Sequence, residues 1–259
     1  MGRVTAFVSE SLLFPSLSAR KKMALRYLRG AGIEIGALQH PLELAPGVIV
    51  RYLDTVSREE NIRRYPHLDP SRIVVTDLMD DGFAPTSLPP ASQEFIIANH
   101  LLEHAPNPLQ VLLNWNRLLK RGGILFLTLP DGSRNFDRGR RITPLEHLVE
   151  DFELVKSGDL EQFARNNREH YREFVEISIP NLNRMRGRRP MTPERQREYL
   201  EELVAQQSTD PHFHVFNRES MIVLCRHLTA VLAPELALKE TVRSRFGRER
   251  LLIFEKRGE

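Results

Sequence analysis

The sequence predicts an α/β protein with a seven-stranded, mostly parallel β-sheet, helices on both faces of the sheet and a helical insert after the fifth strand. Two observations predict this fold. Short apolar runs without alternating polar residues are separated by helical stretches, which is typical of parallel strands buried on both faces. After Asp131 the chain becomes polar and helical until about Pro211, and such a stretch is too long for a simple connection.

The elements follow in order along the chain. A helix at 18–29 has apolar residues at helical spacing and ends at Gly30 and Gly32. The core strands are predicted at 33–35, 48–53, 73–76, 95–98 and 124–129, with helices at 57–65 and 109–119. Helices of the insert are predicted near 143–157, 160–175 and 192–206, with one candidate strand at 175–179. A helix at 218–229 and an antiparallel pair of strands at 236–242 and 250–254 complete the sheet.

This pattern divides the chain into an N-terminal helix and lead-in (1–29), a sheet core (30–131), a helical insert or lid for the substrate (132–211) and a C-terminal completion of the sheet (212–259). No apolar run reaches the length of a membrane span, about 18 residues or more. Residues 1–18 make a poor secretory signal, and Ala6 stands where myristoylation after Gly2 needs Ser or Thr. The lone Cys225 cannot form an internal disulfide, so we expect a cytoplasmic protein.

The arginines are unevenly placed in a chain with a net charge of +3 and a pI of about 9.2. One cluster lies at 134–141 and a second at 184–189. Such clusters either bind an anionic substrate or nucleic acid through bidentate guanidinium contacts, or form a solvated surface. The insert lacks the interleaved aromatic and basic residues of a stacking platform. We therefore expect a small-molecule partner rather than nucleic acid.

In a parallel sheet, ligands bind at the carboxyl ends of the strands, near the switch in strand order. Gly36, in the run Glu34-Ile35-Gly36-Ala37, allows the backbone to pass close to a ligand, although a plain turn glycine is the alternative. Asp54 follows Glu34 by about 20 residues, where a carboxylate can accept both hydroxyls of a ribose. Its alternative role is a helix cap or a turn. The chain has no G-x-G-x-x-G motif, which disfavours a dehydrogenase.

Two further runs carry a family resemblance, ANHLLEHAPNP (98–108) and RLLKRGGILFLTLP (117–130). They resemble the fourth- and fifth-strand region of class I S-adenosylmethionine-dependent methyltransferases of the type 11-like group. The resemblance implies a Rossmann-like fold, S-adenosyl-L-methionine as cofactor and a cofactor-binding core at 30–131. It also implies that Asp77 accepts from the adenine amine, that Leu78 packs on the ring, and that Asn99 and His100 contact the donor. Turn or cap roles are the alternatives for these polar residues.

The family pattern has more glycines than this chain, which carries Leu38 and His40 at the later positions of the motif. This departure is the best support for an inactive binding protein that kept the fold. The runs FDRGRRITPLEHLVED (136–151) and DPHFHVF (210–216) are similar to a bacterial subgroup associated with glycan and glycosyltransferase functions. This second resemblance implies a small anionic or sugar-type acceptor.

The segment after the fifth strand starts at a strand's carboxyl end and must therefore face the cleft. Thr143, Pro144 and Glu146 have the pattern of a helix start with a capping box. His147 and Asp151 are four residues apart and share a helix face. The predicted catalytic bases are His147, Asp131 and His104, in that order. The residues predicted to bind substrate are Arg134, Asp137, Arg140, Asp151, His212 and His214.

His147, Asp151, His212 and His214 also have the donor types of a metal site. The same residues suit a substrate wall or a polar core, and the sequence favours the substrate wall, so no metal is predicted. The resulting prediction is a methyltransferase that aligns a small acceptor for in-line displacement. An RNA or other nucleic-acid methyltransferase remains an alternative.

Overall fold

The computed structural model describes residues 14–244 and 246–258, with side chains from residue 19 onward. The predicted lead-in at 1–13, with the secretory and myristoylation interpretations, lies outside the described residues. Seven strands form one sheet: β1 (Ala31–Ile35), β2 (Ile49–Asp54), β3 (Leu78–Met79), β4 (Gln93–Asn99), β5 (Leu119–Pro130), β6 (Leu236–Arg243) and β7 (Glu249–Lys256).

The strand order is β3-β2-β1-β4-β5-β7-β6. Strands β1 to β5 are parallel, and β7 runs antiparallel to both of its neighbours. The predicted seven-stranded, mostly parallel sheet is therefore confirmed. The direction of the strand order reverses between β1 and β4. Open α/β sheets bind ligands in the crevice at the carboxyl ends of the two strands on either side of such a reversal.

Eight α-helices accompany the sheet in the described residues: α1 (Phe14–Tyr27), α2 (Arg58–Arg64), α3 (Pro108–Leu118), α4 (Leu145–Ser157), α5 (Leu160–Glu173), α6 (Ile179–Met185), α7 (Pro193–Gln206) and α8 (Arg218–His227). A π-helical turn at Phe174–Ser178 joins α5 to α6, and a second at Leu228–Leu232 extends α8. Across 14–244 and 246–258, none of the helices is both long and apolar enough to cross a membrane.

Both faces of the sheet are buried, as the short apolar strands require. Along β4, Ile96 and Ala98 belong to the core that contains Trp115 of α3, whereas Phe95 and Ile97 belong to the core that contains Leu28, next to α1. The insert has a third core of its own, which includes Tyr171, Phe174, Val175, Leu203 and Phe213. The insert is thus a packed helical layer.

The predicted third strand at 73–76 is wrong, because only Leu78 and Met79 pair with β2. Asp77 takes the preceding position: its N–H donates to Tyr52 O, and its carboxylate Oδ2 accepts from Tyr52 N at 2.8 Å. The candidate strand at 175–179 is also wrong, since this apolar run continues the helix of α5 through the π-helical turn. The sequence of a short apolar run is compatible with either a strand or a buried helix, and tertiary packing decides which one forms.

The predicted cap at Thr143 is wrong as well. Helix α4 begins at Leu145 after Pro144, and no side chain caps it. Thr143 instead pairs with Val215: its N–H donates to Val215 O at 2.9 Å and its Oγ1 accepts from Val215 N at 3.0 Å. This pairing ties the start of the insert to its end.

Candidate active site

Glu34 ends up beneath the crevice rather than in it. Its carboxylate is buried and accepts from Leu42 N at 2.9 and 3.1 Å, and Asn99 Nδ2 donates to it at 3.4 Å. Burial raises the pKa of Glu34 to about 7, against the opposing effect of these hydrogen bonds. Glu34 therefore braces the loop from Gly36 to Leu42, and a direct contact with the cofactor stays a prediction.

The backbone of that loop leaves room for a ligand. Gly36 has a φ of +67°, and a Cβ built on it would meet only Leu101 Cδ1, at 3.9 Å. Leu38 has a φ of +48°, in the left-handed region that glycine adopts without strain. The loop thus keeps a glycine-like shape at a position where the family pattern has a glycine and this chain does not. The missing glycine has not removed the turn.

Asp54 closes β2 at the same edge of the sheet. Its side chain is half-buried, and the hydrogen bond that it receives comes from Thr55 Oγ1 at 3.4 Å. A carboxylate at this place, with most of its accepting capacity unused, can bind both hydroxyls of a ribose. The open turn at Gly36 and this carboxylate together fit an adenosyl group.

Asp77 and Leu78 lie one strand further out. Because Asp77 Oδ2 is bound to Tyr52 N, the carboxylate serves the β2 backbone and does not close β3 as predicted. The next acidic residue, Asp80, is also occupied, since its Oδ2 accepts from Thr86 N at 2.8 Å and Ser87 N at 2.7 Å. Leu78 is half-buried against the main core. One oxygen of the exposed Asp77 carboxylate is thus engaged, and its adenine contact stays a prediction.

His100 joins three parts of the fold. Its Nε2 lies 2.6 Å from Glu249 Oε2 of β7, and its Nδ1 lies 3.3 Å from Glu103 Oε1. Burial alone would lower the pKa of His100, but Glu103 and Glu249 outweigh it and raise this pKa to about 9. Glu249 also pairs with Arg20 of α1. The ring thus links β4 to β7 as a cation, and its contact with the donor stays a prediction.

Two distant segments meet the turn after β4 in a group of ionisable side chains, which we name the Glu103 cluster: Glu103, His104, His212 and Asp137. The Glu103 carbonyl accepts from Phe213 N at 2.8 Å and His214 N at 3.2 Å, which docks the end of the insert on this turn. The Glu103 carboxylate is fully buried, and neither oxygen has a hydrogen bond in the described structure. Oε1 lies 3.9 Å from His212 Nε2.

His212 and Asp137 form a hydrogen-bonded pair within this cluster. His212 Nδ1 lies 2.6 Å from Asp137 Oδ2, while the His104 ring stands edge-on to His212 with centroids 4.6 Å apart. Burial opposes ionisation of Asp137, but His212 and Arg140 lower its pKa to about 2. An ionised carboxylate only accepts, so Nδ1 carries the proton that faces Asp137. In the neutral ring, Nε2 is then the nitrogen with a free lone pair.

The prediction that Arg140 grips the substrate is wrong. Its side chain is fully buried, and its guanidinium donates to His212 O at 2.7 Å and Phe213 O at 3.0 Å, besides pairing with Asp137 and Glu173. Asp137 is equally occupied, since Ser178 Oγ also donates to it at 2.7 Å. Both residues therefore position the 212–213 segment instead of touching an acceptor.

Two other predicted residues stand at the start of the insert. Asp131 Oδ1 accepts from Ser133 N at 3.1 Å and Ser133 Oγ at 2.6 Å, and so caps the turn of 132–134. These two bonds use Oδ1 and leave the other carboxylate oxygen for contact with the methyl acceptor. Arg134 is exposed at the end of that turn. Both remain candidates for substrate contact.

His147, the first predicted base, belongs to a different group, which we name the buried histidine cluster: His147, His170, His214 and Asp151. His147 Nε2 lies 2.9 Å from His170 Nε2 and 3.2 Å from Asp151 Oδ2. Because Nε2 already has partners inside the protein, a role of His147 as base would fall to Nδ1, and this role stays a prediction. Two residues of these clusters had no role predicted from the sequence. His170 lies in no motif, and Glu103 lies within the run ANHLLEHAPNP (98–108).

Comparison with known proteins gives the family. A methyltransferase-domain family model matches residues 45–228, well over half of the chain. The chain belongs to the methyltransferase-domain family. Together with the strand order, this membership identifies the protein as a methyltransferase with S-adenosyl-L-methionine as its cofactor, as predicted. No curated protein matches the chain.

Comparison with solved structures finds several that are similar to the methyltransferase. A putative Zn-dependent alcohol dehydrogenase from Rhodobacter sphaeroides has a TM-score of 0.53 at 16% identity, covering 99% of this chain and 93% of that one. A methyltransferase from Thermotoga maritima, a possible histamine N-methyltransferase, has a TM-score of 0.45 at 16% identity, covering 96% and 94%. One from Methanosarcina mazei has a TM-score of 0.43 at 15% identity, covering 90% and 96%. At 16% identity, the likeness to the Rhodobacter sphaeroides structure concerns the fold alone.

Proposed function

We propose that this methyltransferase methylates an oxygen or nitrogen of a small, anionic, sugar-type acceptor of glycan or nucleotide-sugar biosynthesis in the cytoplasm. The observation that carries the proposal is the Asp137–His212 pair beside Glu103. The two segments that resemble the glycan-associated subgroup, 136–151 and 210–216, meet in this pair. On this proposal, the residues that distinguish the subgroup build the acceptor side of the crevice.

S-adenosyl-L-methionine, when bound, supplies an electrophilic methyl group on its sulfonium. Gly36 and Asp54 would hold its adenosyl part at the carboxyl ends of β1 and β2. His212 Nε2 accepts the proton of the acceptor hydroxyl or amine as the new bond forms, and Asp137 stabilises the resulting imidazolium. A base in this role contributes about 10²- to 10⁴-fold to the rate. The remaining acceleration comes from alignment of the acceptor by the walls of the site.

The charge on helices α5 and α7 supports a small acceptor over RNA. Exposed arginines of α5 and α7 are paired with glutamates of the same two helices: Arg165 with Glu161, Arg168 with Glu201, Arg172 with Glu169, Arg195 with Glu202, and Arg197 with Glu194. A polyanion gains affinity by exchanging counterions for protein cations. Cations neutralised by neighbouring glutamates offer little of that gain. Arg134, exposed beside Asp131, suits a single phosphate or carboxylate of a small acceptor.

The test is a methyl-transfer assay that measures formation of the demethylated donor. The protein is offered sugar phosphates, nucleotide-sugars and total RNA. Turnover with a sugar compound that falls about 100-fold or more in His212→Gln, with unchanged donor affinity by calorimetry, supports the proposal. Arg138→Gln, an exposed change on the same loop, should keep the wild-type rate.

Each other outcome contradicts a stated part of the proposal. Turnover with RNA alone overturns the acceptor class. Donor binding without turnover on any acceptor identifies an inactive binding protein. Full activity of His212→Gln removes the base, and the Asp137–His212 pair would then be structural.

A further inference from the structure

We propose that the buried histidine cluster binds one divalent transition-metal ion of the Zn²⁺ type, which fastens the helical insert to the core. Three elements bring the ligands together: α4 carries His147 and Asp151, α5 carries His170, and the segment before α8 carries His214. One ring nitrogen from each histidine lies within 4.8 Å of the other two. The inference is independent of the acceptor proposed above.

The cluster contains buried polar atoms that make no hydrogen bond. His214 is 1% exposed and its Nδ1 has none. Asp151 is fully buried, and its Oδ2 accepts no hydrogen bond although it lies 3.2 Å from His147 Nε2. His214 Nε2 lies 3.3 Å from Pro106 O. A carbonyl only accepts, so this contact places the proton on Nε2 and leaves a lone pair on Nδ1. A histidine fixed by a carbonyl on one nitrogen, with its other nitrogen unpaired, has the arrangement of a metal ligand.

The spacing agrees with a metal-free form of such a site. His147 Nε2 and His170 Nε2 are 2.9 Å apart, the distance of an N–H···N hydrogen bond. Around tetrahedral Zn²⁺ two imidazole nitrogens lie about 3.3 Å apart, because each Zn–N bond is about 2.0–2.1 Å long. If the two nitrogens move apart by a few tenths of an ångström, the ion therefore fits between them. Asn166 Nδ2 donates to Asp151 Oδ1 at 2.7 Å and so leaves Oδ2 toward His147.

The donor set selects the kind of ion. Three imidazoles, with the Asp151 carboxylate 3.2 Å from one of them, suit Zn²⁺ and its first-row neighbours, whereas Ca²⁺ and Mg²⁺ require mostly oxygen ligands. The Glu103 cluster also groups two histidines with a carboxylate. There, however, His212 and its partner Asp137 serve the proposed acid–base chemistry. The experiment distinguishes the two places.

The full chain, prepared without a polyhistidine tag, is dialysed against a chelator and titrated with Zn²⁺ in competition with a chromophoric chelator. We expect one ion per chain and a rise in melting temperature on loading. His170→Gln should weaken binding about 100-fold or more and abolish the thermal shift. The matched control, His67→Gln, alters a histidine outside both clusters and should bind as the wild type does.

Three results would overturn the proposal. They are no stoichiometric binding by the wild type, unchanged binding by His170→Gln, or loss of binding in His104→Gln with retention in His170→Gln. Should His170→Gln fail to fold, X-ray absorption of the Zn²⁺-loaded wild type decides instead. Scattering from three imidazoles supports the buried histidine cluster, and scattering from two places the ion elsewhere.

Discussion

Glu34→Gln tests how the protein tolerates a carboxyl group beneath its cofactor loop. The substitution keeps the size of the side chain and a carbonyl oxygen that can accept from Leu42 N, but it removes the ionisable group. In the folded protein, burial raises the pKa of Glu34 to about 7 from its ordinary value of 4.5. The carboxyl therefore holds its proton more tightly in the folded state than in the unfolded state. Its contribution to stability is complete below pH 4.5 and is lost as the pH rises to about 7.

The magnitude follows from this difference. Each pKa unit corresponds to about 1.36 kcal/mol, so a shift of 2.5 units corresponds to about 3.4 kcal/mol in total. About 2.5 kcal/mol of this falls between pH 5 and pH 8, because the remainder lies outside that interval. The free energy of unfolding of the wild type should thus fall by about 2.5 kcal/mol more than that of Glu34→Gln over this interval.

Urea denaturation followed by the fluorescence of Trp115, the single tryptophan of the chain, gives both free energies. Trp115 is fully buried in the main core and reports global unfolding. Glu43→Gln is the matched control, because Glu43 lies in the same loop with an exposed side chain. It should follow the wild type at both pH values. A difference between wild type and Glu34→Gln that is equal at about pH 5 and pH 8 would refute the reasoning.

Three further predictions concern the crevice and its supports. Asp54→Ala should raise the Kd for the methyl donor about 10- to 100-fold in calorimetry, and an unchanged Kd would remove the ribose contact. His100→Asn should lose about 2 kcal/mol relative to wild type below pH 6.5, and this loss should vanish as the pH rises through about 9. A pH-independent loss would contradict the ion pairs of His100. Arg140→Met should lower the free energy of unfolding by about 3–5 kcal/mol in urea, because it leaves Asp137 buried without its cation. The exposed Arg138→Met should change it by less than about 0.5 kcal/mol, and equal losses would contradict the buried ion pair.

Local sequence patterns predicted most of the sheet, because buried strands need apolar side chains whatever their partners. Strands β4 and β5 and the antiparallel pair β6–β7 fall within a few residues of their predicted bounds. The prediction of the third strand was wrong because of contacts with a distant part of the chain. Ile73 to Thr76 has the composition of a strand, but the hydrogen bonds between Asp77 and Tyr52 leave pairing to the next two residues.

The site was less predictable, because its geometry depends on contacts between distant segments. The motifs pointed to His212 and Asp137 separately, but nothing in the chain indicates that residues 75 apart share a hydrogen bond. Arginine in a basic run suggested an anion site, yet Arg140 uses its guanidinium on two backbone carbonyls. His170 lacked any pattern, because a histidine in a polar helix is ordinary until its neighbours are known.

The docking of Phe213 and His214 on the Glu103 carbonyl has a consequence for how substrates enter. A hinged flap would have to break these bonds, together with those of Arg140, each time it opened. These bonds favour an insert that acts as a fixed wall of the site and does not move as a lid. Differences in acceptor among relatives would then arise from residues beside this wall, while the anchored segment stays the same.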